Sequence, residues 1–251
     1  MLKVVEINKS FGGVKAIDGV SLKVKNGTIN SVIGPNGAGK TSLINVISGF
    51  YRADSGKVVL DGADITNIPI NQLVYRGVGR TFQTPEVCNS MSLLDNVLLG
   101  FDRYMSKNLF ATIFRLKRVV KDEERYRERA MALLSLVGID RYAFHLASEL
   151  PYGVIKKAEI ARALATSPEL ILLDEPVAGL NPKETDEVAK LIKVLVDDDI
   201  TVILIEHDMR MVMEISDIIT VMHFGKKLAE GSAKEIKNNL KVVEAYLGKG
   251  L

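Results

Sequence analysis

Gly34-Pro35-Asn36-Gly37-Ala38-Gly39-Lys40-Thr41 is the stretch that decides the fold of this 251-residue chain. It fits the pattern G-x-x-x-x-G-K-[ST] in full. Glycines at this spacing let the backbone curl so that successive N–H groups point inward at anionic oxygens. Lys40 then reaches β- and γ-phosphates as a point charge. The Thr41 hydroxyl ligates Mg²⁺, and Ser42 completes the cradle. The flanks agree: residues 28–33 predict a short strand, and 42–48 predict a helix whose N-terminus faces the phosphates.

A second acidic element follows the same logic. Leu170-Ile171-Leu172-Leu173-Asp174-Glu175 reads as a buried strand ending in two carboxylates. A buried acid at a strand terminus is costly unless something pairs with it, and a Mg²⁺ on nucleotide phosphates is such a partner for Asp174. Glu175 points the other way and is placed to polarise a water for attack on the γ-phosphate. Gln83 sits where strand character gives way to a helical region, with an amide able to touch both metal and water. His207 directly follows the apolar run 201–205, where its imidazole holds the γ-phosphate or orients the water. Finally, Leu150-Pro151-Tyr152-Gly153 opens a predicted helix and makes a second anion site from exposed N–H groups. One nucleotide rarely needs two such sites in one protomer; two protomers facing head to tail would use both.

Around these motifs the chain alternates strands and helices from residue 28 onward. Residues 170–173 and 201–205 are of buried parallel-strand type, and the helix 182–196 between them carries Asn181 and Pro182 as its cap pair. This is βαβ organisation, hence an α/β core. Residues 2–8, 20–25 and 57–60 predict an antiparallel N-terminal portion, with turns at Asn26-Gly27 and Asp61-Gly62. Residues 85–165 hold no convincing strand; 104–137 show long helical periodicity, and the charge run 121–129 is most simply a solvated face with i,i+4 pairs, a docking face for a partner being the alternative. The tail from 233 is expected to be helical, packing Ile236, Leu240, Val243 and Leu247 on the core.

Composition narrows the class. The chain is 47% hydrophobic and 25% charged, as globular domains are, and its net charge of +2 is too mild to imply nucleic-acid binding. The lone Cys88 allows no intrachain disulfide and reads as incidental. No apolar run approaches the roughly 18 residues of a membrane span, and the charges of Lys3 and Glu6 break any signal-peptide core. The chain is expected to be soluble; if it works at a membrane, another polypeptide holds it there.

In order, Phe11, the 34–41 loop, Gln83, Pro151-Tyr152-Gly153, Asp174-Glu175, Gly179-Leu180-Asn181 and His207 resemble the motifs of ATP-binding cassette (ABC) ATPases, over essentially the whole chain. Arg80-Thr81-Phe82-Gln83, Leu150-Pro151-Tyr152-Gly153, Glu159-Ile160-Ala161-Arg162 and the stretch 178–184 resemble more narrowly the ATP-binding subunit of branched-chain amino acid importers. The resemblance implies an α/β P-loop NTPase of ABC type: a mixed core sheet with an antiparallel β portion, built from 1–84 and 166–251, and an inserted helical signature subdomain, 85–165. It implies that Phe11 stacks on adenine and that Lys40 and the loop formed by Gly34, Pro35, Asn36, Gly37, Ala38 and Gly39, through its backbone N–H groups other than at Pro35, hold phosphates. Thr41, Gln83 and Asp174 would arrange Mg²⁺, Glu175 would be the catalytic base and His207 the γ-phosphate sensor. Gly153 would meet the γ-phosphate bound by the opposite protomer, and Asn181 would lie at the protomer interface.

The implied function is an ATP-hydrolysing energy-coupling subunit at the cytoplasmic face of the cell membrane. Its implied partners are a second ATP-binding subunit, identical or closely related, transmembrane permease subunits contacted by the segment after Gln83 and the helical insert, and a solute-binding protein indirectly. Other cargoes within the family are urea or short amides, and lipid-type export substrates. A DNA-maintenance or translation factor would need a long coiled-coil insert or a second cassette, for which 251 residues leave no room. One departure stands out: Pro151 replaces the Ser of the usual Leu-Ser-Gly-Gly-Gln signature and Val154 its Gln, with Ile155 next. Two side-chain hydrogen bonds worth about 1 kcal/mol each are thereby lost. A weakly hydrolysing switch is the reading this suggests, and the intact Glu175 and His207 argue against it.

Overall fold

A computed structural model of the chain describes residues 1–104 and 117–247. Among the described residues ten strands form two sheets, with helices between them. The first, antiparallel, has the order β2-β1-β4-β5, from β1 (Leu2–Phe11), β2 (Val14–Val24), β4 (Ser55–Leu60) and β5 (Ala63–Asp64). The second has the order β10-β9-β3-β8-β7-β6, from β3 (Ile29–Ile33), β6 (Val78–Arg80), β7 (Leu170–Asp174), β8 (Thr201–Ile205), β9 (Ile218–His223) and β10 (Lys226–Gly231). It is parallel except for its β10 edge, which pairs antiparallel with β9.

Every residue of β3, β7 and β8 is buried. Parallel strands covered on both faces require such continuous apolar runs. Because successive side chains point to opposite faces, the sheet divides two cores. Ile171, Leu173, Val202 and Leu204 pack with the helical region, whereas Leu170, Leu172, Ile203 and Ile205 pack with the antiparallel sheet and α1 (Lys40–Ile47). The short helix α2 (Ile70–Leu73) adds Leu73 to the second core.

Residues 85–104 and 117–165 contribute helices and no strand: α3 (Leu93–Leu98), α4 (Lys117–Leu136) and α5 (Tyr152–Ala165). Leu94, Phe101, Leu134 and Ile160 join the same core as β7, β8 and α6 (Pro182–Asp197). The charge run shows why this segment is amphipathic: Tyr126 and Ala130 of α4 are buried while Glu123, Glu124, Arg127 and Glu128 are exposed. The expected periodicity over 104–137 is met by α4 from Lys117 onward; residues 105–116 lie outside the described part.

α7 (Met209–Ile215) leads to β9, and the described residues end in α8 (Ala233–Lys237) and α9 (Leu240–Leu247). The expected apolar face of the tail is corrected here. Asn238 and Asn239 separate two short helices, so the i, i+4, i+7 register does not carry across. Leu240 is 77% exposed and Val243 39%, while Ile236 and Val242 enter a small core with Ile33, Val212, Ile219 and Val221. No helix among the described residues is long and apolar enough to cross a membrane.

Candidate active site

The loop after β3 closes around its own lysine. Gly34 adopts φ 152° and Gly39 φ 98°. A Cβ at Gly34 would lie 2.2 Å from the Met222 carbonyl oxygen, and one at Gly39 2.2 Å from that of Ala16. Only glycine fits either position. Lys40, the first residue of α1, is buried and donates from Nζ to the carbonyls of Gly34 (2.7 Å) and Pro35 (3.1 Å). Burial pulls its pKa down, and the carboxylates of Glu175 and Asp174 pull it back up. Asn36, Gly37 and Thr41 are exposed, Ser42 is half-buried and Ala38 is buried. The helix N-terminus and a lysine thus lie together where an anion is favoured.

Asp174 ends β7 and is 1% exposed. Its Oδ1 has no hydrogen-bond partner, and its Oδ2 lies 3.6 Å from Arg80 Nη2. Burial raises its pKa; the Arg80 guanidinium opposes that rise. The buried acid therefore already has one cationic neighbour, which sequence reasoning had assigned to metal alone. Among the described residues no group of three His, Cys, Asp or Glu forms a metal cluster. A hard cation riding on phosphate oxygens needs only one or two carboxylates, so an orphaned Oδ1 beside a phosphate cradle fits Mg²⁺.

Glu175 follows in the left-handed region, φ 50°, with its N–H donating to Ile205 O at 2.9 Å. Its Oε2 accepts from Gln83 Nε2 at 3.0 Å and lies 3.9 Å from His207 Nδ1. Beneath His207, the buried Glu206 accepts from the N–H groups of Val177, His207 and Asp208. Burial raises the Glu206 pKa, and those three donors lower it. Gln83, Asp174, Glu175, His207 and Lys40 are thus brought together at the C-terminal ends of the parallel strands, where open α/β sheets bind ligands.

Phe11 and Gly153 are placed elsewhere. Phe11, at the end of β1, is 42% exposed and meets Tyr51 edge-on at 5.1 Å. Gly153 is the second residue of α5, which starts one residue earlier than a glycine-opened helix would. Pro151 holds its N-cap position without a side-chain hydrogen bond, and the N–H groups of Val154 and Ile155 donate to Pro151 O. Gly153 faces α6: a Cβ there would lie 2.9 Å from Glu184 Oε1. Asn181 caps α6 in a reciprocal box with Glu184. Gly153, Asn181, Arg141, Lys157 and Lys183 line a common depression.

Sequence reasoning missed the buried charges under the site. Glu159 and Arg80 stand there only as letters of a motif, and nothing singles out Lys156. Glu159 Oε1 accepts from Phe82 N and Glu86 N, and Arg80 bonds to Asn45 Oδ1 and Ser48 Oγ. A usable signal was present: α5 is apolar over most of its surface, so charges on it must be buried and find hydrogen-bond partners.

Known proteins resemble the chain over nearly its whole length. The family described as ABC transporter matches residues 17–178, and the family described as branched-chain amino acid ATP-binding cassette transporter matches residues 226–251. The chain is 41% identical over 249 residues to the high-affinity branched-chain amino acid transport ATP-binding protein BraF of Pseudomonas aeruginosa, covering 99% of this chain and 98% of that one. It is 39% identical over 249 residues to LivG of Escherichia coli, with the same coverage. Among solved structures, a nucleotide-free ATP-binding cassette from an ABC transporter superposes with a TM-score of 0.86 at 38% identity, covering 99% of both chains. The dimeric cassette MJ0796 does so with a TM-score of 0.81 at 27% identity, covering 93% of this chain and 99% of that one.

Proposed function

The chain belongs to the ABC transporter family, and on that premise we propose that it is the ATP-hydrolysing subunit of a branched-chain amino acid importer, held by its permease at the cytoplasmic face of the membrane. Two copies, or one copy and a close relative, close around two Mg·ATP. Closure drives the permease, and hydrolysis resets it. The cargo rests on the 39–41% identity to BraF and LivG and on the family match at 226–251.

The observation that carries the catalytic reading is the Glu175 carboxylate, 3.0 Å from Gln83 Nε2 and 3.9 Å from His207 Nδ1. Lys40 exchanges its loop carbonyls for β- and γ-phosphate oxygens, and the loop amides hold the rest of the chain of phosphates. Phe11 stacks on the adenine. Glu175 takes the proton of the attacking water, Gln83 orients that water, and His207 holds the γ-phosphate. Thr41, Gln83 and Asp174 would hold Mg²⁺, which neutralises charge on the phosphate oxygens when bound. Gly153, at the head of α5, meets the γ-phosphate of the other protomer, with Asn181 at the interface.

The region 85–165 is taken as the inserted subdomain that turns against the core. A groove of about 330 Å³ at its junction with the core is lined by Leu73, Val78, Phe82, Leu99 and Arg162. It is assigned to a helix of the permease, and the solute-binding protein acts from the far side of the membrane. Glu175→Gln tests the mechanism. It should bind ATP, trap a dimer on gel filtration and release almost no phosphate; release at the parent rate would remove Glu175 from its role. Lys40→Ala should lose nucleotide affinity in a direct titration.

A further inference from the structure

Lys156 is among the largest fully buried side chains, 2% exposed, on a helix whose other buried residues are Gly, Ala, Ile and Leu apart from Glu159, one turn further on. It forms no ion pair among the described residues. Its Nζ donates instead to two backbone carbonyls, Gln83 O at 2.7 Å and Glu175 O at 3.1 Å. A buried ammonium is costly to place, and two neutral carbonyls do not require one. These carbonyls, however, belong to the two residues whose side chains meet at 3.0 Å. Glu175 also holds an uncommon backbone, φ 50°, a conformation that is strained for a non-glycine residue and persists only where neighbours over-determine it. Its N–H is fixed by Ile205 and its C=O by Lys156.

Lys156 also connects two places. It lies three residues after Gly153, one turn further along the same helix, so the two positions share a face. A helix moves as a rod, and a shift of its first turn carries Lys156 with it. We infer that Lys156 is a positioning residue that sets the Gln83–Glu175 pair of its own protomer according to how the first turn of α5 engages the triphosphate of the opposite one. The inference rests on the proposed function, since it needs Glu175 as base and Gly153 at the partner's phosphate. Under it, the two ATP sites communicate through one ammonium per protomer. The bonds are made to backbone and not to side chains, so what they fix is the placement of Gln83 and Glu175.

The test uses the full chain with Lys156→Met and Lys156→Arg, and Glu175→Gln alongside. ATP turnover, its Hill coefficient, Mg·ADP affinity by calorimetry and the thermal midpoint are measured for each. In Lys156→Met, kcat should fall about 10- to 100-fold, as small misplacements of reacting groups do, with the Hill coefficient falling toward one. Mg·ADP affinity should stay within about twofold, because that ligand is held by the 34–41 loop. Lys156→Arg, which retains a charged donor, should recover part of both the rate and the cooperativity. A kcat near the parent value in Lys156→Met overturns the inference. So does an unchanged Hill coefficient, or a loss of rate that tracks lost Mg·ADP affinity or unfolding in both variants. If Glu175→Gln keeps the parent rate, the catalytic reading itself has failed; if it is silent while Lys156→Met is fully active, only the role of Lys156 has.

Discussion

Arg80 Nη2 lies 3.6 Å from Asp174 Oδ2, with the two side chains 5% and 2% exposed. Arg80 is fixed from behind by Asn45 Oδ1 at 2.5 Å and by Ser48 Oγ, both at the end of α1. One guanidinium therefore ties the phosphate-loop helix to the strand bearing the expected metal ligand. Removing one member of a buried pair leaves the other charge uncompensated. Arg80→Met should lower unfolding free energy by about 3–5 kcal/mol in urea titration. Combined with Asp174→Asn it should cost clearly less than the two single changes summed; strict additivity would show the pair to be uncoupled.

The phosphate loop separates two kinds of glycine. Gly34→Ala would drive a Cβ to 2.2 Å from a backbone oxygen, whereas a Cβ at Gly37 meets nothing within 4 Å despite φ 79°. Gly37→Ala should carry only the left-handed penalty of about 1–2 kcal/mol. Gly34→Ala should lose ATP binding altogether, because the loop must open to relieve the clash. Calorimetric titration of both variants with Mg·ADP compares them directly, and equal affinities would refute the steric account.

Asn181 accepts from Glu184 N, and Glu184 Oε2 accepts from Asn181 N, each at 3.0 Å. Asn181→Ala should cost about 0.5–2 kcal/mol in thermal or urea unfolding. If Asn181 also serves the protomer interface, steady-state turnover should fall by more than the lost stability accounts for at a temperature where the variant is fully folded.

Glu159 titrates in the unusual direction. It is 1% exposed, and burial raises its pKa above the ordinary 4.5, with the N–H groups of Phe82 and Glu86 opposing. The folded chain thus holds this proton more tightly than the unfolded one. The contribution to stability is complete below the ordinary value and is lost as pH rises through the folded one. Glu159→Gln removes that loss, so its unfolding free energy relative to the parent should climb as pH rises from about 4.5 through the window. A difference independent of pH would show that Glu159 is not strained by its burial.

The loop, the acidic strand and the cap of α6 were legible because each is a local signal: glycine spacing, four apolar residues running into Asp174-Glu175, an Asn-Pro pair. The Gly12-Gly13 turn that makes β1 and β2 a hairpin, with φ values of 52° and 86°, was passed over, and both strands run longer than alternation suggested. The strands β9 and β10 were not anticipated either. Lys226–Gly231 is an edge strand without a buried residue, so it carries no apolar pattern. The tail misled because a register of apolar residues takes no account of a break at Asn238-Asn239. The charges beneath the site were invisible for a different reason. Lys156 meets Gln83 across 73 residues and Arg80 meets Asp174 across 94, and such pairings exist only once the sheet has assembled.

Leu172 and Leu173 are adjacent in β7, yet they press on different machinery: Leu172 shares a core with Ala38 and Leu43, Leu173 with Ile155 and Ala158. The sheet behaves as a bulkhead, and hollowing out one flank leaves the other braced. Under the proposed function, truncating Leu172 should slacken the grip on the chain's own nucleotide, and truncating Leu173 the reach of Gly153 toward its neighbour's. On that reading a single peptide bond separates the holding of fuel from the handshake that ignites it.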